Sequence, residues 1–444
     1  MKKFFKALFI HATFFYALLG IITVFVFSYF FPVLYTFSWA LLFILILLTI
    51  IDVLLVFSPH KAIVASRLVP DRFSNSDENE VQIFVENNYT FRIKIEVIDE
   101  LPLQFQLRNF LIKSAVLPQQ NLRFTYSVRP TERGIYQFGG LNIYVQSPLQ
   151  LIAKKWVFDA AKNVATYPSF IQLKKYEFLA FSNQLTQFGF KKIRKIGQAL
   201  EFEQIKEYVH GEDIRNINWK ATAKKNSFMV NQYQDEKAQP VYCIMDKGRT
   251  MRMPFEGLSL LDYAINSTLV LSNIILRKQD KVGMFTFSKD IENKLPAEKK
   301  PTQLHKILEA LYAIQTDFIE SDFNRLFVEV KKSINQRSLL IIYTNFETVE
   351  GLHRQLPYLK AIARMHMVLL VFFENTELTK ITQEKSETLP DIFDKTIARK
   401  FNYEKRLIVK ELKKYGIQSL LTKPENLTVD TINKYLEIKA RGLI

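Results

Sequence analysis

The sequence predicts a chain of three structural parts: two N-terminal transmembrane helices, an antiparallel β-sandwich, and a doubly wound α/β domain with a mainly parallel sheet. Three observations predict this order. Two long apolar stretches open the chain, a period-two alternation follows them, and buried strands then alternate with helical patterns. The predicted boundaries are 1–61 for the transmembrane hairpin, 62–169 for the β-sandwich, 170–239 for a connecting segment and 240–444 for the α/β domain.

Composition limits the class of protein. Of the 444 residues, 48% are hydrophobic, which is enough for a sizeable core and argues against disorder. The formal net charge of +16 could favour an anionic partner. Membrane proteins that face the cytoplasm carry extra Lys and Arg for topological reasons, so we expect no nucleic-acid partner. The single cysteine, Cys243, forms no intrachain disulfide and lies in an apolar run, which favours an inert core residue in a reducing compartment.

Two apolar stretches predict the transmembrane hairpin. No charged residue lies between Leu8 and Phe31, and only Asp52 interrupts the second stretch from Val33 to Phe57. Each stretch is long enough to cross a hydrocarbon core of about 30 Å. A cleaved signal peptide is the alternative, but the first stretch is too long for one and the second follows almost at once. We expect Asp52, near the helix end, to snorkel or cap.

Basic residues flank the two stretches and predict their orientation. Lys2, Lys3 and Lys6 precede the hairpin, and Lys61 and Arg67 follow it. The positive-inside rule then places Met1 and everything after the second helix in the cytoplasm. We therefore expect a multi-pass protein of the inner membrane with its soluble portion cytoplasmic.

Period-two alternation between about residues 62 and 169 predicts half-buried strands. The clearest runs are Val81 to Val85, Ile93 to Val97, Leu122 to Tyr126 and Leu141 to Val145. Turn signals such as Asn87-Asn88 and Gly139-Gly140 separate them at short intervals, which favours an antiparallel sandwich over parallel units.

From Val241 onward, strands and helices alternate. The predicted buried strands are Val241–Met245, Val282–Phe287, Leu339–Tyr343, Met367–Phe373 and Gln418–Leu421. The predicted helices are Leu258–Leu276, Gln303–Ile314, Phe323–Ile334, Leu352–Ala363, Ile392–Tyr415 and Val429–Ala440. Domains of this kind bind ligands beyond the carboxyl ends of their strands, and the first such end is Asp246.

Residues 197–236 carry a specific pattern. A Gly-x-Gly-x-Glu-Phe motif stands here as Gly197, Ala199, Glu201 and Phe202, with the second glycine replaced. A second motif stands as Lys206, Tyr208, Gly211, Glu212, Asp213, Arg215, Ile217, Asn218 and Trp219, followed by Ala223 and Lys224. This pattern resembles the signature of domain-of-unknown-function family fifty-eight. The upstream residues 133–139 also resemble that family's sandwich segment.

The resemblance implies a fold and a partner. Members of the family join a membrane hairpin and a β-sandwich to a von Willebrand A-like domain, and are commonly paired with MoxR-type AAA+ ATPases. We therefore expect an adaptor or scaffold that works with such an ATPase in complex assembly or cell-envelope processes. The partner-binding candidates carried by the motifs are Glu201, Phe202, Tyr208, Gly211, Asp213, Arg215 and Trp219.

The same segment is informative without the family. Acidic and basic residues alternate over a short distance, which suits docking by complementary charge, with Trp219 as the apolar anchor. The alternative is that the charges pair locally and Trp219 packs against the following sheet.

The resemblance also raises the question of a metal. Von Willebrand A domains often hold a divalent cation at an Asp-x-Ser-x-Ser motif completed from two further loops, a donor set that suits hard cations. Here the candidate ligands are Asp246, Thr250 and Ser321, while Gly248 replaces a hydroxyl and Asn345 replaces a carboxylate. We expect at most weak Mg²⁺ or Ca²⁺ binding and no other cofactor.

Linear catalytic motifs are missing from the sequence. It has no phosphate-binding P-loop, no His-Glu-x-x-His zinc helix and no Gly-x-Ser-x-Gly elbow. We therefore expect a protein that is not an enzyme. A divalent-metal-dependent ligand-binding protein and an uncharacterised hydrolase remain as the alternatives.

Overall fold

The computed structural model describes residues 2–59, 62–173, 200–209, 214–235, 238–316, 318–383 and 388–443. The chain divides into two compact units, Met1–Tyr167 and Pro168–Ile444. Each unit has its own apolar core, built from strands in the first and from strands and helices in the second.

The N-terminal residues up to the end of the first apolar stretch form three elements. These are α1 (Lys2–Ala7), β1 (Leu8–Ile10) and α2 (Ala12–Phe27). The strand β1 forms because its backbone pairs antiparallel with β10 (Ile152–Phe158). The remaining helix α2 has 16 residues and spans only about 24 Å, so it is shorter than the apolar stretch that the sequence offers.

The second apolar stretch is one helix, α3 (Val33–Phe57), of 25 residues with a window of mean hydropathy 3.1. Within the described residues it alone is long and apolar enough to cross a membrane. Asp52 of α3 is fully buried, and its Oδ2 accepts hydrogen bonds from the backbone N–H groups of Leu151 and Ile152, each at 3.0 Å. The expectation that Asp52 snorkels or caps is therefore wrong, because its Oδ2 binds two backbone N–H groups where β10 begins.

The strand-rich part of the first unit contains three sheets. Its strands besides β10 are β2 (Ile63–Leu68), β3 (Arg72–Ser74), β4 (Asn79–Asn87), β5 (Ile93–Asp99), β6 (Ile112–Val116), β7 (Asn121–Val128), β8 (Gly134–Phe138), β9 (Leu141–Gln146) and β11 (Lys162–Tyr167). The sheet orders are β1-β10-β9-β5-β6, β2-β4-β7 and β3-β11-β8. Pairing is antiparallel throughout except between β3 and β11. The first two sheets share one apolar core, as the period-two alternation predicts.

Strands and helices alternate in the second unit, and a hairpin precedes them. The hairpin consists of β12 (Leu200–Glu207), α4 (Trp219–Lys225) and β13 (Met229–Asp235). The strands that follow are β14 (Pro240–Asp246), β15 (Pro254–Phe255), β16 (Leu258–Ser259), β17 (Lys281–Phe287), β18 (Ile291–Glu298), β19 (Leu339–Tyr343), β20 (Met367–Phe373) and β21 (Gln418–Thr422). The helices are α5 (Leu260–Arg277), α6 (Gln303–Tyr312), α7 (Phe323–Ser333), α8 (Val349–Met365), α9 (Thr376–Gln383), α10 (Leu389–Lys414) and α11 (Leu427–Ala440).

A six-stranded mixed sheet organises this domain, in the order β18-β17-β14-β19-β20-β21. Five strands run parallel and β18 runs antiparallel at one edge. Helices α5, α6 and α11 cover one face, and α7, α8 and α10 cover the other. Every strand and helix predicted for this half is present, whereas β15, β16, β18 and α9 were not predicted. Cys243 is fully buried in β14, where burial raises the pKa of its thiol to about 12.

Candidate functional site

The strand order reverses between β14 and β19, the first strand of the sheet along the chain and the fourth. Crevices form at such a reversal because the connections leave in opposite directions, and they open at the carboxyl ends of the strands. Asp246 ends β14, and Thr344 and Asn345 follow β19 directly. We call the cleft lined by Asp246, Thr250, Ser321, Thr344 and Asn345 the switch-point crevice; its volume is about 120 Å³.

Asp246 is the centre of this crevice and is only 2% exposed. Its Oδ1 accepts hydrogen bonds from the N–H of Gly248, at 2.8 Å, and from the hydroxyl of Ser321. Its Oδ2 accepts one from the hydroxyl of Thr344, at 2.7 Å. Three separate segments thus converge on one carboxylate. The structure brings the predicted residues Asp246 and Ser321 together, and Thr250 lines the same cleft.

Gly248 has no room for a side chain. A Cβ built at this position would lie 2.1 Å from Oγ of Ser321 and 3.0 Å from Oδ1 of Asp246. The space that a hydroxyl of the metal motif would need is therefore filled by Ser321, which reaches Asp246 from a different loop. The hydroxyl that the sequence lacks at Gly248 is therefore supplied to Asp246 by Ser321.

Burial sets the electrostatics of Asp246. It raises the pKa of this carboxyl above its ordinary value, and the donors Ser321, Thr344 and Gly248 oppose the rise. The carboxylate is stabilised by hydrogen bonds from within the chain.

Asn345 is held by a lysine that the sequence analysis missed. Nζ of Lys405, from α10, donates a hydrogen bond to Oδ1 of Asn345 at 2.5 Å. Lys405 is 8% exposed, and burial lowers the pKa of its ammonium to about 8, with Glu347 opposing the change. A signal was available, because Lys405 has helical spacing with the buried Ile408 and Leu412 and so lies on the apolar face of α10.

A second cavity of about 250 Å³ adjoins this lysine. Apolar side chains, among them Phe255, Phe373 and Phe401, form much of its wall, and Lys405 lines it. Asn345 and Glu347 line both this cavity and the switch-point crevice. The amide of Asn345 therefore stands between the Asp246 side and the Lys405 side.

The residues present do not fit a divalent cation. Mg²⁺ and Ca²⁺ require several oxygen ligands with net negative charge. Across the described parts of the chain, no three Asp, Glu, His or Cys side chains are grouped so that they could hold a metal ion. Glu320, which also lines the crevice, pairs with Arg249 at 3.0 Å, and the amide oxygen of Asn345 faces an ammonium.

The described motif residues form a structure that we call the signature hairpin, residues 200–209 and 214–235. Strands β12 and β13 pair antiparallel with an irregularity between Phe202 and Gln204. Asn218 caps α4 by accepting a hydrogen bond from the N–H of Ala221 at 3.1 Å, and its Nδ2 donates to Asn231 of β13 at 2.8 Å. Asn218 is thus the N-cap residue of α4.

The signature hairpin exposes apolar side chains. The largest exposed fractions are those of Val209 (62%), Ile214 (67%), Trp219 (66%) and Phe228 (57%). The alternative in which Trp219 packs against the following sheet is therefore wrong.

The other partner-binding candidates fall in three places. Tyr208 lies beside Phe228, with ring centroids 6.4 Å apart and its N–H donating to the Phe228 carbonyl at 2.7 Å. Glu201 and Phe202 lie on β12, and Arg215 lies in the 3-10 turn Ile214–Asn216. Two further candidates, at positions 211 and 213, lie outside the described residues.

Comparison with known proteins gives a family and weak structural likenesses. Residues 204–392 match the family described as protein of unknown function DUF58. The CARDB domain of PF1109 from Pyrococcus furiosus is 16% identical, over 24% of this chain and 94% of that one, with a TM-score of 0.16. The protein BatB from Bacteroides thetaiotaomicron is 14% identical, over 46% of this chain and 100% of that one, with a TM-score of 0.30. The PapD-like domain 7 of human CEP192 is 11% identical, over 23% and 85%, with a TM-score of 0.18.

These structural likenesses are too weak to assign a function, and no curated protein matches the chain. The fold itself defines a doubly wound α/β domain preceded by a strand-rich unit and an apolar N-terminal helix. The segment that matches the DUF58 family runs from the signature hairpin into α10.

Proposed function

We propose that this protein is a membrane-anchored adaptor or scaffold whose signature hairpin binds a partner protein. The resemblance of its motifs implies that this partner is a MoxR-type AAA+ ATPase, acting in complex assembly or cell-envelope processes. The proposal assigns binding, and no catalysis, to this chain.

The exposed apolar surface of the signature hairpin carries the proposal. Trp219, Val209, Ile214 and Phe228 are each more than half exposed. Aromatic residues are enriched among those that dominate binding energy at protein interfaces, and large exposed apolar groups are costly to leave in water. The family's motif residues thus include a tryptophan that the fold itself does not bury.

The topology of the α/β domain supports a von Willebrand A-like identity. Numbered within the domain, its sheet has the order 3-2-1-4-5-6 with the third strand antiparallel. The carboxyl ends of β14 and β19 form the crevice where the resemblance puts the metal motif. The domain would then be a degenerate member of that class in which the crevice has lost its metal ligands.

Exposed apolar side chains around α2 and α3 support a membrane hairpin. Phe15, Leu19, Phe43 and Leu47 are all exposed, and the two helices contact each other. Apolar groups on every side of a helix suit a lipid environment. In our proposal both helices cross the membrane, and the basic flanks keep Met1 and the chain after α3 in the cytoplasm. A reporter fused after Ile444 should be active only inside the cell; activity outside would overturn this topology and the cytoplasmic ATPase with it.

Binding of the full chain, in detergent, to a purified MoxR-type ATPase tests the adaptor proposal. Trp219→Ala should raise the dissociation constant at least tenfold, because the few residues that dominate an interface are enriched in tryptophan and cost about 2 kcal/mol or more when truncated. Phe393→Ala is the matched control, since Phe393 is an equally exposed aromatic on α10. Unchanged affinity in a folded Trp219→Ala variant would remove the signature hairpin from the binding surface.

A further inference from the structure

A buried ammonium, that of Lys405, lies beside the switch-point crevice, on the other side of Asn345. We propose that this ammonium, bound to the amide of Asn345, supplies the positive charge that a divalent cation would bring to the crevice, so that the crevice is complete without metal. This inference concerns the crevice alone and stands whether or not the signature hairpin binds an ATPase.

Both carboxylate oxygens of Asp246 are already bonded inside the chain. This buried carboxylate already accepts hydrogen bonds from Gly248, Ser321 and Thr344. Recruiting it to a cation would require these internal donors to be displaced or rearranged. Gly248 offers no hydroxyl in exchange, and the contact with Ser321 leaves no space for one.

The side-chain oxygen of Asn345 is already bonded to Lys405. A neutral amide oxygen is a weak ligand for a hard cation, and here it accepts the hydrogen bond of a buried ammonium at 2.5 Å. A divalent ion beside the amide would meet the positive charge of Lys405 at short range. Lys405 therefore disfavours a metal at the position where the resemblance puts one.

Lys405 is a buried residue of α10. It lies on the apolar face of α10 with Ala398, Ile408 and Leu412, and Ile408 and Leu412 pack in the core beneath the sheet. Its charge is fixed there by the folding of the helix, whereas a bound metal would depend on its concentration in the cell.

Metal binding to the full chain in detergent tests this proposal, with Mn²⁺ detected by electron paramagnetic resonance and Mg²⁺ by its effect on Tm. Four proteins are compared: the natural chain, Asn345→Asp, Lys405→Met, and the double variant. Lys400→Met is the matched control, because Lys400 is exposed on the same helix.

We expect no saturable Mn²⁺ binding and no Mg²⁺ shift in Tm for the natural chain, for Lys405→Met, for Asn345→Asp or for Lys400→Met. The double variant has a second carboxylate and no ammonium, so it should bind Mn²⁺ at least tenfold more tightly than the others.

Three results would overturn the proposal. The first is saturable binding by the natural chain that Asp246→Asn abolishes. The second is a folded double variant that gains no affinity for Mn²⁺. The third is binding by Asn345→Asp as tight as that of the double variant, which would mean that Lys405 excludes nothing. If the double variant does not fold, the natural chain and Asn345→Asp still decide, since the proposal requires that neither binds metal.

Discussion

The switch-point crevice and the signature hairpin differ in the environment of their functional side chains. In the crevice, the buried Asp246 and Lys405 find hydrogen-bond partners inside the chain. In the hairpin, Trp219 and its apolar neighbours are left in contact with solvent. Groups that are satisfied internally contribute to stability and to a fixed geometry, whereas exposed apolar groups gain most from a partner. The difference agrees with our proposal that the hairpin binds a partner, whereas the hydrogen bonds of the crevice hold segments of the chain together.

Asp246→Ala should cause the largest loss of stability. It leaves the hydroxyls of Ser321 and Thr344 and the N–H of Gly248 without their acceptor, and buried unsatisfied donors cost about 1–3 kcal/mol each. Partial relaxation and water entry bring the expected total to about 3–5 kcal/mol, measured by chemical unfolding of the full chain in detergent.

Asp394→Ala, at an exposed position on α10, is the control and should be close to neutral. A loss below about 1 kcal/mol for Asp246→Ala would mean that the hydrogen bonds to Asp246 do not stabilise the fold.

The pH dependence of the free energy of unfolding should reveal the lowered pKa of Lys405. Its pKa is about 8 in the folded chain and near 10.5 when unfolded, so the unfolded state binds the proton more tightly between these values. The free energy of unfolding should therefore rise as pH increases from about 8 to 10, by up to roughly 3 kcal/mol from this group. The penalty of burying the charge is fully present below pH 8.

Other groups titrate in the same range, so the measured quantity is a difference between variants. The natural chain should gain stability relative to Lys405→Met as pH rises across this window, while Lys400→Met should run parallel to the natural chain. Parallel curves for Lys405→Met as well would contradict the buried ammonium.

Gly248→Ala should cost about 2 kcal/mol, the usual range for overpacking. The added methyl group meets Ser321 and forces it away from Asp246. Gly351→Ala is the matched control, because the nearest atom to a Cβ there is an ordinary 3.4 Å away and the residue lies in a helix. Thermal unfolding should separate the two variants clearly, and equal Tm values would refute the close packing at Gly248.

Trp219→Ala should have the smallest effect on stability, within about 0.5 kcal/mol, because the side chain is already exposed. The same variant should lose most of its partner binding. A large drop in Tm would instead mean that Trp219 stabilises the fold, and the hairpin would then not differ from the crevice in this respect.

The architecture of the second unit was accessible from the sequence because its signals are local. Apolar runs such as Leu339–Tyr343 and helical spacing such as that of α5 depend on residues close together in the chain, and all were found. The edge strand β18 was missed because Asn293 interrupts the apolar alternation between Ile291 and Leu295, and Pro296 and several charges weaken the pattern further.

Tertiary structure alone decided which side chains meet. The sequence shows that Gly248 and Asn345 depart from a metal motif, but not that Ser321 fills the space at Gly248 or that Lys405 reaches Asn345 across 60 residues. Likewise, the sequence determined that the N-terminus is apolar. Only the tertiary structure showed that β1 pairs with β10, which divides the first apolar stretch, and that two backbone N–H groups bind the side chain of Asp52. Periodicity along a chain fixes which face of an element is apolar. Hydrogen bonds between distant segments depend on how those elements pack, and no local pattern encodes that.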